Sequence, residues 1–172
     1  MSIAILFVTQ LALGYVAWLL CFRAYILPWL RSMEGFAAHR AIATLHSFRF
    51  FGLVFILPGV VGQGLPAGFA SFAAYGDLAT GVLALLALLT VGVRPLYWTF
   101  IAAFNVVGVA DLICDYSHAI LLGLPARAGQ LGAAYAIVIV YVPLLMITHI
   151  AALYMLARPR RRATHAALGA AT

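Results

Sequence analysis

His46 and Arg49 stand three residues apart in LHSFRFFG, at the mouth of a strongly apolar run. Further on, Asp77 lies in YGDLATG, Asn105 and Asp111 in FNVVGVADL, and His149 in MITHIAALY, each inside a stretch that is otherwise apolar. On a helix, residues i and i+3 share a face, so His46 and Arg49 point the same way. A guanidinium stays charged throughout the physiological range. Withdrawn from water, Arg49 therefore needs a carboxylate, and Asp77 and Asp111 are the candidates. Imidazoles change charge near neutral pH and also ligate metals. The leading expectation is a buried cluster of His46, Arg49, Asp77, Asn105, Asp111 and His149 that binds or passes a small ligand or a proton. In the alternative, His46 and His149 are the axial ligands of a b-type haem. In a third reading the same groups form a structural polar network in a subunit of a membrane complex, as polar residues between packed helices often do. A mixed histidine and carboxylate metal site is disfavoured, because the two residue types fall at different depths.

The elements that must position these residues follow from composition. The chain has 172 residues, 66% of them hydrophobic and only 8% charged, with a mean hydropathy of +1.11. That lies far from the half-apolar makeup of a soluble domain and predicts a multi-pass membrane protein. All ten basic residues are arginines, against four acids. With no lysine, no imine to retinal, pyridoxal phosphate or a carbonyl substrate can form on a side chain. The positive balance is read as membrane orientation rather than nucleic-acid binding. No CxxC, HExxH or serine-triad pattern occurs, so an enzymatic role has no support from motifs.

A membrane helix needs about 20 apolar residues to cross about 30 Å of hydrocarbon. Five stretches meet this, at about 3–22, 41–61, 73–92, 96–117 and 132–157, making residues 1–158 one all-α, five-span domain. Residues 159–172 read as a basic, disordered cytoplasmic tail. The N-terminal run is taken as a retained span, since no basic residue precedes it and no small-residue cleavage site follows. Arginines concentrate at 23–40, at Arg94 and after residue 157, which predicts an external N-terminus and a cytoplasmic C-terminus. The segment 23–40 is expected to lie at the headgroups as a short helix or loop. Cys21 and Cys114 then fall on opposite sides, so no disulfide joins them.

Depth counting at about 1.5 Å per residue puts Arg49 near the midplane, His46 level with His149, and Asp77 and Asp111 together toward the outer side. Asp115 and His118 fall at or near the outer interface, and Pro143 should kink the last span. His39 is expected in water beside Arg40, whereas Trp18, Trp29, Tyr97, Trp98 and Tyr154 read as interface anchors. Gly76, Gly81, Gly108 and Gly132 are expected to permit close helix approach.

The run QLGAAYAIVIVYVPLLMITHIAALYML, Gln130 to Leu156, with FNVVGVADL before it, resembles a group of uncharacterised small bacterial integral membrane proteins. The resemblance implies a bacterial inner-membrane location and no catalytic activity. Five spans in about 170 residues are also similar to the translocator-protein fold. That family's tryptophan- and proline-rich signatures are missing, so none of its residues carry over. The expected partners are the lipid bilayer, a small ligand, and a further copy or a membrane-complex subunit, with no nucleic acid.

Overall fold

The computed structural model describes residues 1–158, and the tail expected at 159–172, with His165, lies outside the described residues. Among the described residues the secondary structure is helical, with no strand. The first helix, α1 (Ile3–Cys21), is capped by the Ser2 hydroxyl, which accepts from the Ile5 N–H. It passes through a π-helical turn at Phe22–Ile26 into α2 (Leu27–Ser32), giving one continuous 30-residue helix. The expected stop at residue 22 and the separate interfacial piece over 23–40 are therefore corrected. Pro28 explains how the helix continues. A proline cannot bond to the carbonyl four residues back and crowds it, and the wider π turn just before it absorbs both effects. The chain turns only at Met33 and Glu34.

The second stretch is not a uniform α-helix. It begins as α3 (Gly35–His46) and continues as a ten-residue 3-10 helix over Ser47–Ile56. Runs of that length are uncommon. With three residues per turn, His46, Arg49, Gly52 and Phe55 stack in a single straight row, and all four are buried. Two long helices follow, α4 (Ala67–Leu89) and α5 (Arg94–Leu121), packed side by side. Irregular 3-10 turns over Leu124–Ala134, broken at Arg127 and Gly132, lead to a second π turn, Ile137–Tyr141, and to α6 (Val142–Ala157). This π turn again precedes a proline, Pro143, where the sequence predicts a kink. Gly14 of α1 packs against the Ile139 carbonyl, the group that Pro143 deprives of its helical donor. The Trp18 indole N–H donates to the Val140 carbonyl at 2.7 Å. Trp18 is thus a partner for the distorted turn.

Hydrogen bonds fix which ends of the elements lie together. The Tyr97 hydroxyl donates to the Phe36 carbonyl at 2.9 Å, joining the start of α5 to the start of α3. Tyr97 is fully buried, so its assignment as an interface anchor is corrected too. At the other end, Gly62 N–H donates to the Gln130 carbonyl at 2.8 Å, and Ala133 N–H to the Val60 carbonyl at 3.1 Å. Gly132 sits at this junction with φ +54°, a conformation glycine adopts without cost, and a Cβ there would strike the Val60 carbonyl. One apolar core, including Phe7, Phe55, Phe69 and Leu131, fills this end. A second, including Leu30, Ile42, Tyr97 and Ile101, fills the opposite end. Along α4, α5 and α6, the buried polar residues fall next to or between these two cores.

Candidate functional site

Arg49 is the centre of that polar layer and is completely buried. The straight row of the 3-10 helix aims it at the seam between α4 and α5. Its Nε donates to Asp77 Oδ1 at 2.6 Å, and its Nη2 lies against the same oxygen. Nη2 also donates to Asp111 Oδ2 at 2.6 Å. Nη1 meets His149 Nε2 at 3.3 Å and the Gly108 carbonyl at 3.5 Å. Every N–H direction of the guanidinium thus has an acceptor. The two candidate carboxylates are both partners, rather than one or the other.

The hydrogen-bond inventory assigns the imidazoles. Arginine only donates, so His149 Nε2 accepts, and its proton is on Nδ1, which donates to Asn105 Oδ1 at 3.0 Å. Asn105 is held in turn by its amide donating to the Ile101 carbonyl at 2.7 Å. His46 Nε2 lies 3.0 Å from the Thr148 hydroxyl, which gives its own proton to the Leu144 carbonyl at 2.8 Å. His46 is therefore the donor there, and its Nδ1 has no partner. The two imidazole rings lie against each other, with centres 3.8 Å apart and planes tilted by 39°, and both touch Phe104.

This arrangement does not fit a haem held between His46 and His149. The rings are in mutual contact, with no gap for a macrocycle, and both nitrogens of His149 are engaged by Arg49 and Asn105. The haem alternative is corrected on that ground. Among the described residues, no group of three or more histidine, cysteine, aspartate or glutamate side chains is placed to hold a metal ion.

Close backbone approach makes the cluster possible. A Cβ on Gly52 would overlap the Asp77 carboxylate, and one on Gly76 would overlap Asp111 Oδ1. On Gly108 it would strike His149 Nε2 and approach Thr80 Cγ2 to 2.8 Å. Gly76 and Gly108 were legible as close-approach sites, whereas Gly52 and Thr148 were missed. For Gly52 the available signal was its spacing of three from Arg49. For Thr148 there was none, since its role depends on a residue from another helix. His39, expected in water, is buried, with Nδ1 2.7 Å from the Gly35 carbonyl and Nε2 3.3 Å from the Ala152 carbonyl.

Two clefts open elsewhere. One of about 880 Å3 is lined chiefly by apolar side chains, among them Leu30, Phe36, Trp98 and Met155, and one of about 370 Å3 lies beside Gln130. None of the six cluster residues lines either cleft. Cys21 and Cys114 are both free.

Four described helices, Ile3–Ser32, Ala67–Leu89, Arg94–Leu121 and Ile137–Ala157, are long and apolar enough to cross a membrane. Together with a buried ion-pair layer they define an all-helical bundle of the membrane-protein class. A family model described as Domain of unknown function (DUF8737) matches residues 6–157, and the chain belongs to that family. Comparison with curated proteins and with solved structures gives no match.

Proposed function

We propose that this protein is a five-span bacterial inner-membrane protein that binds a proton in the Arg49, Asp77 and Asp111 cluster. The observation that carries this reading is an imbalance: two buried carboxylates share one buried guanidinium, and Asp111 Oδ1 has no hydrogen-bond partner. Arg49 and both aspartates in their charged forms leave one negative charge unbalanced. An uncompensated charge in a low-dielectric interior costs several kcal/mol, on the order of 3–5 when a buried pair is broken. A proton on Asp111 Oδ1 removes that charge without disturbing Oδ2, which receives Arg49. The cluster side chains bond directly to one another, which favours a proton over a bulkier ligand.

The fifth crossing is supported by the reach of α3 and the 3-10 helix. Twelve α-helical residues rise about 18 Å and ten 3-10 residues about 20 Å, together more than the hydrocarbon thickness. Phe36 meets the start of α5, and Val60 meets the segment that follows α5's end. The arginine distribution favours an external N-terminus.

Infrared spectroscopy of the full chain in lipid vesicles tests the proton reading. A carbonyl band from a protonated carboxyl is expected at neutral pH, and Asp111→Asn should remove it. A wild-type spectrum without such a band overturns the reading. A purely structural network is favoured by one observation, the complete pairing of Arg49's donors. On that reading, Arg49→Leu lowers stability or assembly, and no protonated carboxyl is seen.

A further inference from the structure

Asp111 is the first of three ionisable residues on one face of α5. Asp115 follows one turn later and His118 after nearly another, the spacing that lines side chains along one helical stripe. Each presents a buried atom with no hydrogen-bond partner: Asp111 Oδ1, Asp115 Oδ1 and His118 Nδ1. Asp111 itself is only 6% exposed. The His118 ring meets the edge of Phe72 on α4, with ring centres 4.7 Å apart, so the stripe ends in the seam between α4 and α5 near Leu121. Buried polar atoms in a helical bundle are ordinarily satisfied, because each orphan is costly where bulk water is excluded. Three in succession along one stripe, beginning at the proton-binding oxygen, mark a polar file rather than isolated packing defects.

We propose that this stripe, His118, Asp115 and Asp111, is the path by which protons reach the cluster from the end of the bundle where α4 begins and α5 ends. The proposal rests on the reading of Asp111 as the proton-binding group. Water protonates the His118 ring, and the imidazolium gives a proton from its buried Nδ1 to Asp115 Oδ1, which returns the imidazole to its neutral form. The proton then passes to Asp111 Oδ1, which regenerates the Asp115 carboxylate. The net change is one proton moved from the aqueous face to Asp111, with no electron transferred. Other groups around the file have different roles. From α4, Asp77 is bound to Arg49, and from the 3-10 helix Arg49 itself cannot release a proton. From α1, Tyr15 is hydrogen-bonded to Tyr116 at 2.8 Å, and Arg127, in the segment packed beyond α5, is exposed. The fourth orphan atom, His46 Nδ1, belongs to a residue beyond Arg49, whose donors are all engaged, so it offers no comparable entry.

The test is the rate at which the Asp111 carboxyl band shifts when full-length protein in vesicles is moved from H2O to D2O. Asp115→Asn and His118→Gln should each slow this exchange by about tenfold or more with the band's amplitude intact. Asp115→Glu should restore it, and Ser117→Ala, on the exposed side of α5, should leave it unchanged. Wild-type exchange rates in both Asp115→Asn and His118→Gln overturn the path while leaving the binding site standing. Absence of the band from the wild type overturns the binding site, and the path with it. Should Asp115→Asn fail to assemble, His118→Gln decides the matter alone.

Discussion

Arg49 makes the strongest demand in this molecule, because a permanent charge with no exposure must be met from every side. Removing it by Arg49→Leu leaves Asp77 and Asp111 facing each other without a cation. The expected cost is about 3–5 kcal/mol, the scale for breaking a buried pair, read as a lower unfolding midpoint in detergent. Arg49→Lys should recover only a small part, since a single ammonium cannot reach both carboxylates, His149 and the Gly108 carbonyl at once. Asp111→Asn should cost much less, because a neutral amide stands in for a carboxyl already protonated on Oδ1 and its oxygen keeps an acceptor for Nη2. Gly76→Ala tests space rather than charge. Its methyl must displace Asp111 Oδ1, and overpacking of this kind costs about 1–3 kcal/mol, measurable in the same unfolding experiment. At this scale the sequence was informative, since an arginine near the middle of an apolar run requires carboxylates, and chain direction brought Asp77 and Asp111 to one level. It could not show that one guanidinium takes both, because that depends on how closely Gly52 and Gly76 let the elements approach.

The elements themselves departed most from expectation, and for a common reason. Depth counting assumes 1.5 Å per residue throughout, whereas Ser47–Ile56 is 3-10 and two π turns precede Pro28 and Pro143. Local hydropathy does not register such changes of pitch. The straight row of His46, Arg49, Gly52 and Phe55 depends on the three-residue turn. Inserting one alanine after Phe50 should rotate Gly52 and Phe55 by about 120° away from α4 and abolish assembly, seen as loss of the monodisperse species on size-exclusion chromatography. At the other distorted turn, Trp18→Phe removes the donor to the Val140 carbonyl. A destabilisation of about 1 kcal/mol is expected in detergent unfolding, in line with side-chain hydrogen bonds between membrane helices.

Over the whole molecule, the class was legible from composition alone, while His39 and Tyr97 were misplaced because their burial depends on Ala152 and Phe36, far away in sequence. Single cysteines in a background lacking Cys21 and Cys114 settle the crossing number. In the five-span arrangement, Ser2→Cys and Gln63→Cys react with a membrane-impermeant thiol reagent from one side, and Gly92→Cys from the other. Labelling of Ser2→Cys and Gln63→Cys from opposite sides would refute it. The 3-10 row also bears on descent. Where one side of a helix is read every third position and the neighbour must lack a side chain, substitutions cannot accumulate independently. Members of this family should drift freely at Phe48, Phe50 and Phe51, which face outward, while Arg49, Gly52, Asp77, Gly76 and Asp111 are kept or exchanged together, as one inherited unit.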